Sequence, residues 1–411
     1  MLYKHLINLS IRELLQGSSL IFLVRIFSIM GTYIFIFLIN KYFGSETLGI
    51  FSLAQSLLYI VSIIVTLGLD VLSVRLISKY KSDEIQLYFP LYRRILFLVI
   101  FFGTIITIIS YNSASFISSS IFNDSKSYLP IKYFSLCLIP LAITTINSEN
   151  FRGMKKVLHY SFYNKTSFLL YTSIILSIFI LFCDTTNYLL PYYSFIIVCV
   201  VLMLISSINI FKLFNFKNYT KTKNNVYASK DLLIQSNPMM VTNIVLHSLQ
   251  WSSIILLGIF NSSSDVGVFT LVMKIGSITS LVLTSINGIA APKISELFNT
   301  NNNLKLDQLI KNITQLTFIT SFPIIISLFL LNTYIFNFFG SEYLVGKYAL
   351  FILLIGQFFN ISCGSVVTIL NMTNKQKIVR NITLFGLFIN IIFNLIFIPQ
   401  YGINGAAIGT T

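Results

Sequence analysis

The chain has 411 residues, of which 55% are hydrophobic and only 10% charged. Soluble proteins carry about 25% charged residues, so a soluble globular enzyme is excluded and the chain reads as a polytopic membrane protein. The formal charge of +15, from 28 Lys and Arg against 13 Asp and Glu, would point to nucleic acid in a soluble protein. Here the basic residues sit in short segments between apolar runs, where they set orientation instead.

Residues 1–16 are mixed polar, and the apolar run after them is too long for a signal peptide and has no small-x-small cleavage site. Eleven complete spans follow, near 17–40, 48–69, 92–111, 130–148, 160–182, 188–211, 233–260, 267–290, 313–331, 348–370 and 381–398. The closing GINGAAIGTT reads as the first turns of a twelfth, and truncation there is the expectation.

The first span, GSSLIFLVRIFSIMGTYIFIFLIN, carries Arg25 near its middle. An arginine at that depth costs about 2.5–3.5 kcal/mol on insertion scales, so it must face a polar cavity or a partner. The competing reading is a snorkelling arginine, or one tied to a neighbouring helix carbonyl. Arg25, Ser28 and Thr32 share one helical face. The second span offers Gln55, Tyr59, Ser62 and Thr66; the seventh Asn243, His247 and Gln250, followed by Trp251 and Ser253; the eighth Thr270, Lys274 and Ser277. Each stripe alone is explained by hydrogen bonds between helices, worth about 0.6 kcal/mol per contact. Four stripes on the first two helices of each half, two of them bearing a cation, point to a shared cavity. Lys274 has snorkelling as its competing reading. His247 reads as a packing residue before a proton carrier, and Trp251, the single tryptophan, as an interface anchor.

The segments 1–16, 70–94, 149–165, 212–231, 291–312 and 371–380 hold 22 of the 28 basic residues, which places the N-terminus in the cytoplasm. The most polar of them, 212–231, reads as a cytoplasmic linker between a bundle over 1–211 and another over 232–411. LGIFSLAQS at 48–56 matches VGVFTLVMK at 266–274, an offset of 218, and Gly49 to Arg75 has the same spacing as Gly267 to Lys293. Six spans per half give the second half the direction of the first, so the expected fold is all-α: two six-helix bundles about a pseudo-two-fold along the membrane normal, with a central cavity.

Asp70, Glu149 and Asp265 fall at span ends, where capping or solvation accounts for them, and no carboxylate sits in mid-span. That argues against a cationic substrate and favours an anionic one, for which the arginine fork suits phosphate. Cys137, Cys183, Cys199 and Cys363 have no metal spacing. Nucleotide-binding and HExxH motifs are missing, so no cofactor is expected; a coupling ion or the membrane potential is the energy source left open. The expected class is a transporter, not an enzyme.

KYFGSETLGIFSLAQS, TLGLDVLSVRLIS, NFRGMKKV, LLGIFNSSSDVGVFTLVMKIG, APKISEL, LLIGQFFN, ILNMTNKQ and IPQYGINGAAIGT, taken in this order and spacing, resemble the multidrug/oligosaccharidyl-lipid/polysaccharide exporter superfamily, especially its Wzx-type O-antigen and capsule repeat-unit flippases. The resemblance implies alternating access that turns over an undecaprenyl-pyrophosphate-linked oligosaccharide in the bacterial inner membrane. Arg25 and Lys274 would hold the pyrophosphate, and Ser28, Thr32, Gln55, Tyr59, Asn243, His247, Gln250 and Ser277 would line the cavity. Its implied partners are the lipid-linked glycan, membrane lipids and other polysaccharide-assembly proteins, with no nucleic acid. Many relatives carry an acidic residue shortly before the LLG-type motif of the seventh helix; Ser253 stands there instead, against carboxylate-based ion coupling. The other classes weighed are a cation-coupled small-molecule exporter of the same superfamily, and a membrane-embedded oligosaccharide polymerase or ligase.

Overall fold

The computed structural model describes residues 2–78, 88–182, 187–214, 228–300, 302–373 and 375–411, without the side chains of 2–23, 25, 157, 166, 288, 289, 292 and 299. Among the described residues the chain is helical throughout, with no strand. The long first element, Leu2–Thr66, is broken at Gly44 into α1 (2–43) and α2 (45–66). It continues through α3 (Leu69–Ile77), α4 (Phe89–Phe116), α5 (Tyr128–Leu136), α6 (Leu138–Gly153), α7 (Val157–Tyr163), α8 (Phe168–Phe182) and α9 (Leu190–Leu213). There follow α10 (Ser229–Phe260), α11 (Ser263–Gly276), α12 (Ile278–Asn299), α13 (Asn303–Leu330), α14 (Asn332–Phe339), α15 (Lys347–Cys363), α16 (Val366–Met372), α17 (Gln376–Tyr401) and α18 (Ile403–Thr410). Each predicted span falls on one helix or on a broken pair. Cys183 and most of the predicted linker lie outside the described residues.

The connection expected at 41–47 is a single residue, Gly44, whose φ of 80° takes the chain out of the helix without the cost a Cβ would add. Two hydrogen bonds show that the chain reverses there. The turn at 165–167 reaches α1 through Ser167 Oγ, 2.9 Å from Ser28 Oγ, and α2 through Lys165 Nζ, which donates to Ser62 Oγ at 3.2 Å. In one straight helix Ser28 and Ser62 would stand about 50 Å apart at 1.5 Å per residue. Both touch the same turn, so α1 and α2 form a hairpin.

Other spans are broken for local reasons. α2 ends at Leu67 and Gly68, with φ of 54° and 70°. A Cβ on Gly68 would also meet the α10 backbone, 2.5 Å from the Ser236 carbonyl oxygen. The fourth span bends by 46° between α5 and α6. Pro140 cannot donate to the Leu136 carbonyl, which frees the helix to bend there. The eighth span bends by 41° between α11 and α12. There the Ser277 and Thr279 hydroxyls bond the carbonyls of Lys274 (2.7 Å) and Gly276 (3.0 Å), competing with the helix ladder.

The chain divides into two compact units, Met1–Tyr42 with Leu57–Ile244, and Phe43–Ser56 with Val245–Thr411. The first unit is packed around Tyr88, Tyr92, Phe134, Phe151, Phe168 and Phe195, all essentially buried. Its tyrosines also satisfy buried amides: Tyr88 donates to Asn150 Oδ1 at 3.0 Å and Tyr92 to Asn147 Oδ1 at 2.7 Å. Phe97, Phe101, Ile108, Ile109 and Phe116 of α4 are exposed, as is normal for a helix facing acyl chains.

The second unit contains the crossing of α2 with α11. A Cβ on Gly49 would run into the Ser263 carbonyl oxygen, and one on Gly267 into the Ser45 carbonyl oxygen. Both pairs, 45 with 263 and 49 with 267, are related by the 218-residue offset of the sequence repeat. The repeat-equivalent glycines therefore meet about a local two-fold, backbone against backbone.

Candidate functional site

Of the first predicted stripe, the Arg25 side chain lies outside the described residues. Ser28 is buried, donating to the Val24 carbonyl at 2.8 Å while meeting Ser167, and Thr32 donates to the Ser28 carbonyl at 3.0 Å. Both hydroxyl protons are donated to carbonyls of the same helix. Tyr59, also buried, presents its ring to Lys165 Nζ at 5.5 Å.

Lys165 belongs to an ion cluster that the sequence reading did not assemble. Asp70 leads α3, Glu149 and Arg152 close α6, and Lys165 opens the turn before α8. Arg152 Nη2 lies 2.7 Å from Glu149 Oε2. Asp70 Oδ1 is buried with no hydrogen-bond partner. Burial pushes the Asp70 carboxyl above the usual carboxylate range, while the Lys165 ammonium, backbone hydrogen bonds and Arg152 pull it back. Asp70 thus keeps backbone hydrogen bonds at the start of α3, as a helix-end carboxylate does, but burial leaves it and Glu149 facing Lys165 and Arg152 as well. The signal was available: Lys165 stands at the edge of an apolar run, as Arg25 and Lys274 stand inside theirs.

In the second unit Gln55 is buried on α2. The seventh-span stripe is divided: Asn243 belongs to the first unit, His247 and Gln250 to the second. His247 is half-buried and Gln250 exposed. Trp251 is buried inside the fold, 5% exposed, and Lys274 Nζ lies 5.9 Å from its ring. The lysine is half-buried, one turn before the bend at Ser277, itself exposed. The ammonium rests within cation–π range of the Trp251 ring.

A second feature missed from the sequence is a neutral network across α10, α17 and α18. Ser252 Oγ donates to Asn390 Oδ1 at 2.6 Å, and Asn390 Nδ2 to the Gly409 carbonyl at 2.7 Å. Asn394 Nδ2 reaches Ser253 Oγ at 2.9 Å and Asn390 Oδ1 at 3.0 Å, and Ser253 Oγ lies 2.9 Å from Thr410 Oγ1. Ser253, singled out for replacing an acid, is thus a hydrogen-bonding centre. The Asn390–Asn394 pair, one helical turn apart in an apolar run, was its visible trace.

Comparison with known proteins places this arrangement. Residues 14–298 match the family described as "Polysaccharide biosynthesis protein". The chain belongs to that family. A second family, MatE, matches residues 238–396 of the chain. It is 24% identical over 184 residues to the probable low-salt glycan biosynthesis flippase Agl15 of Haloferax volcanii, covering 44% of this chain and 39% of that protein. It is 28% identical over 191 residues to the capsular polysaccharide biosynthesis protein CapF of Staphylococcus aureus, covering 46% of this chain and 48% of that one. The matched stretches thus span less than half the length of these two relatives. A solved structure of the lipid II flippase MurJ, in an inward closed conformation, aligns with a TM-score of 0.75 at 17% identity, over 96% of this chain and 84% of that one. At that identity the likeness establishes the fold, an all-helical, multi-pass membrane architecture of two six-span bundles.

Proposed function

We propose that this chain flips undecaprenyl-pyrophosphate-linked oligosaccharide repeat units from the cytoplasmic to the outer face of the bacterial inner membrane, by alternating access, for O-antigen or capsule synthesis. The observation that carries the reading is Lys274, a cation kept half-buried in a broken apolar span beside Trp251. A positive side chain at that depth is retained at a cost, and a phosphorylated headgroup repays it. Arg25 supplies the second cation on the first span. The N-terminus is cytoplasmic by the basic-segment pattern, so outward movement of the anionic headgroup gains about 2.3 kcal/mol per charge per 100 mV.

Arg25→Ala and Lys274→Ala are each expected to lower surface glycan at least tenfold, a loss of about 1.4 kcal/mol or more in headgroup binding, while the protein inserts at normal abundance. Lys274→Arg keeps the charge and retains export. Quantifying surface glycan against membrane-inserted protein checks this; normal glycan in both alanine variants would overturn the reading.

The MatE match over 238–396 favours one alternative, a cation-coupled exporter of small molecules. Drug-stimulated proton antiport in vesicles holding the purified chain would select it.

A further inference from the structure

Three connecting segments of the second unit meet through hydrogen bonds. They are the start of α2 after Gly44, the start of α11, and the 3₁₀ turn Ser341–Gly346 that follows α14. The Ser45 backbone N–H donates to Glu342 Oε1 at 3.0 Å, and Ser45 Oγ donates to Glu342 Oε2 at 2.8 Å. Ser45 Oγ also lies 2.8 Å from Ser264 Oγ. A hydroxyl has one proton to give, so Ser264 donates to Ser45 and the chain of bonds runs from Ser264 through Ser45 to Glu342.

The carboxylate is aimed by its neighbours. The turn is entered through Gly340 at φ 134°, and Tyr343, fully buried, anchors it. A Cβ on Gly346 would lie 2.7 Å from Val272 Cγ2 and 2.9 Å from Val268 Cγ1, so the turn is packed directly on α11. Glu342 is therefore carried by the body that carries α11, and it grips α2 at its first N–H, which has no acceptor within the helix and where a negative charge also meets the favourable end of the helix dipole. Behind that grip lies the Gly49–Gly267 crossing. Glu342 itself remains solvent-exposed, so its hydrogen bonds can be exchanged for water at small cost.

We propose that Glu342 is a releasable clamp: it pins the 43–56 segment to the second unit, and that segment must come away before cargo can leave on the outer face. The outer placement and the cargo step rest on the transport reading above; the clamp itself rests on the hydrogen bonds.

Two measurements test it in the full chain with its native cysteines replaced by serine. First, Ser52→Cys, at a buried α2 position, is labelled in intact cells with a membrane-impermeant maleimide. Glu342→Ala should label about tenfold faster, equivalent to about 1.4 kcal/mol, with Glu342→Gln in between. If Glu342→Ala fails to accumulate, Ser45→Ala removes only the hydroxyl bonds and should accelerate labelling by a smaller factor. Unchanged labelling at normal abundance overturns the clamp. Second, a disulfide between Ser45→Cys and Ser264→Cys should stop glycan export, with recovery on reduction; export that continues with the disulfide formed shows that release is unnecessary. Labelling reads the clamp whatever the cargo. If Glu342→Ala accelerates labelling while Arg25→Ala and Lys274→Ala leave glycan normal, the clamp stands and the assigned cargo falls.

Discussion

Alanine at Gly49 is expected to destabilise the protein by about 2–3 kcal/mol and to abolish export, because the added methyl has nowhere to go. It would run into the Ser263 carbonyl oxygen, which is backbone and cannot swing aside. Gly267→Ala meets the mirror obstacle, the Ser45 carbonyl oxygen, and should cost as much. The double variant should cost less than the sum, since one separation of α2 from α11 relieves both clashes. Gly386→Ala is the control: nothing lies within 4 Å of a Cβ there, and alanine is the better helix former, so it should be neutral or slightly stabilising. Thermal unfolding in detergent orders these variants. A Gly49→Ala protein that melts with the parent would mean that the α2–α11 crossing is not a tight backbone contact.

Removing Lys165 carries the next largest expected effect. Lys165→Met leaves Asp70 without the cation that acts on it most strongly and should cost about 3 kcal/mol. Burial already holds the Asp70 carboxyl above its ordinary range, and the ammonium is the largest of the influences that oppose that shift. Without it the folded state favours the protonated acid more strongly, so its pKa rises further above the unfolded value. Stability from that group is then present at low pH and lost as pH rises, and the deficit against the parent should shrink toward pH 5 and widen above pH 7. Asp70→Asn combined with Lys165→Met should recover part of the loss. Melting curves across that pH range decide it; a deficit independent of pH would mean that Lys165 and Asp70 are not coupled.

The contrast between these two sites shows what a sequence carries. The glycine crossing was half legible. The offset of 218 placed Gly49 opposite Gly267 in two similar helices, but nothing in a linear pattern says that equivalent positions touch. The ion cluster was less legible still, because its members come from α3, α6 and the turn before α8, and each alone looks like an ordinary charge at a span end. Ser28 and Thr32 share the helical face their spacing promised, and the structure adds that both hydroxyls donate to helix carbonyls and that Ser28 meets Ser167.

By itself the sequence determined the membrane class, the all-helical fold, the order of the helical segments, the internal repeat and the family. These follow from hydrocarbon thickness and backbone hydrogen bonding, which leave long apolar runs one conformation. Only the tertiary structure decided that α1 and α2 reverse on one glycine, that 43–56 packs with the second unit, and that Glu342 holds Ser45. The reason is physical: apolarity is a property of a segment and survives in a linear pattern. A backbone contact or a buried charge partner depends on which segments the fold brings together.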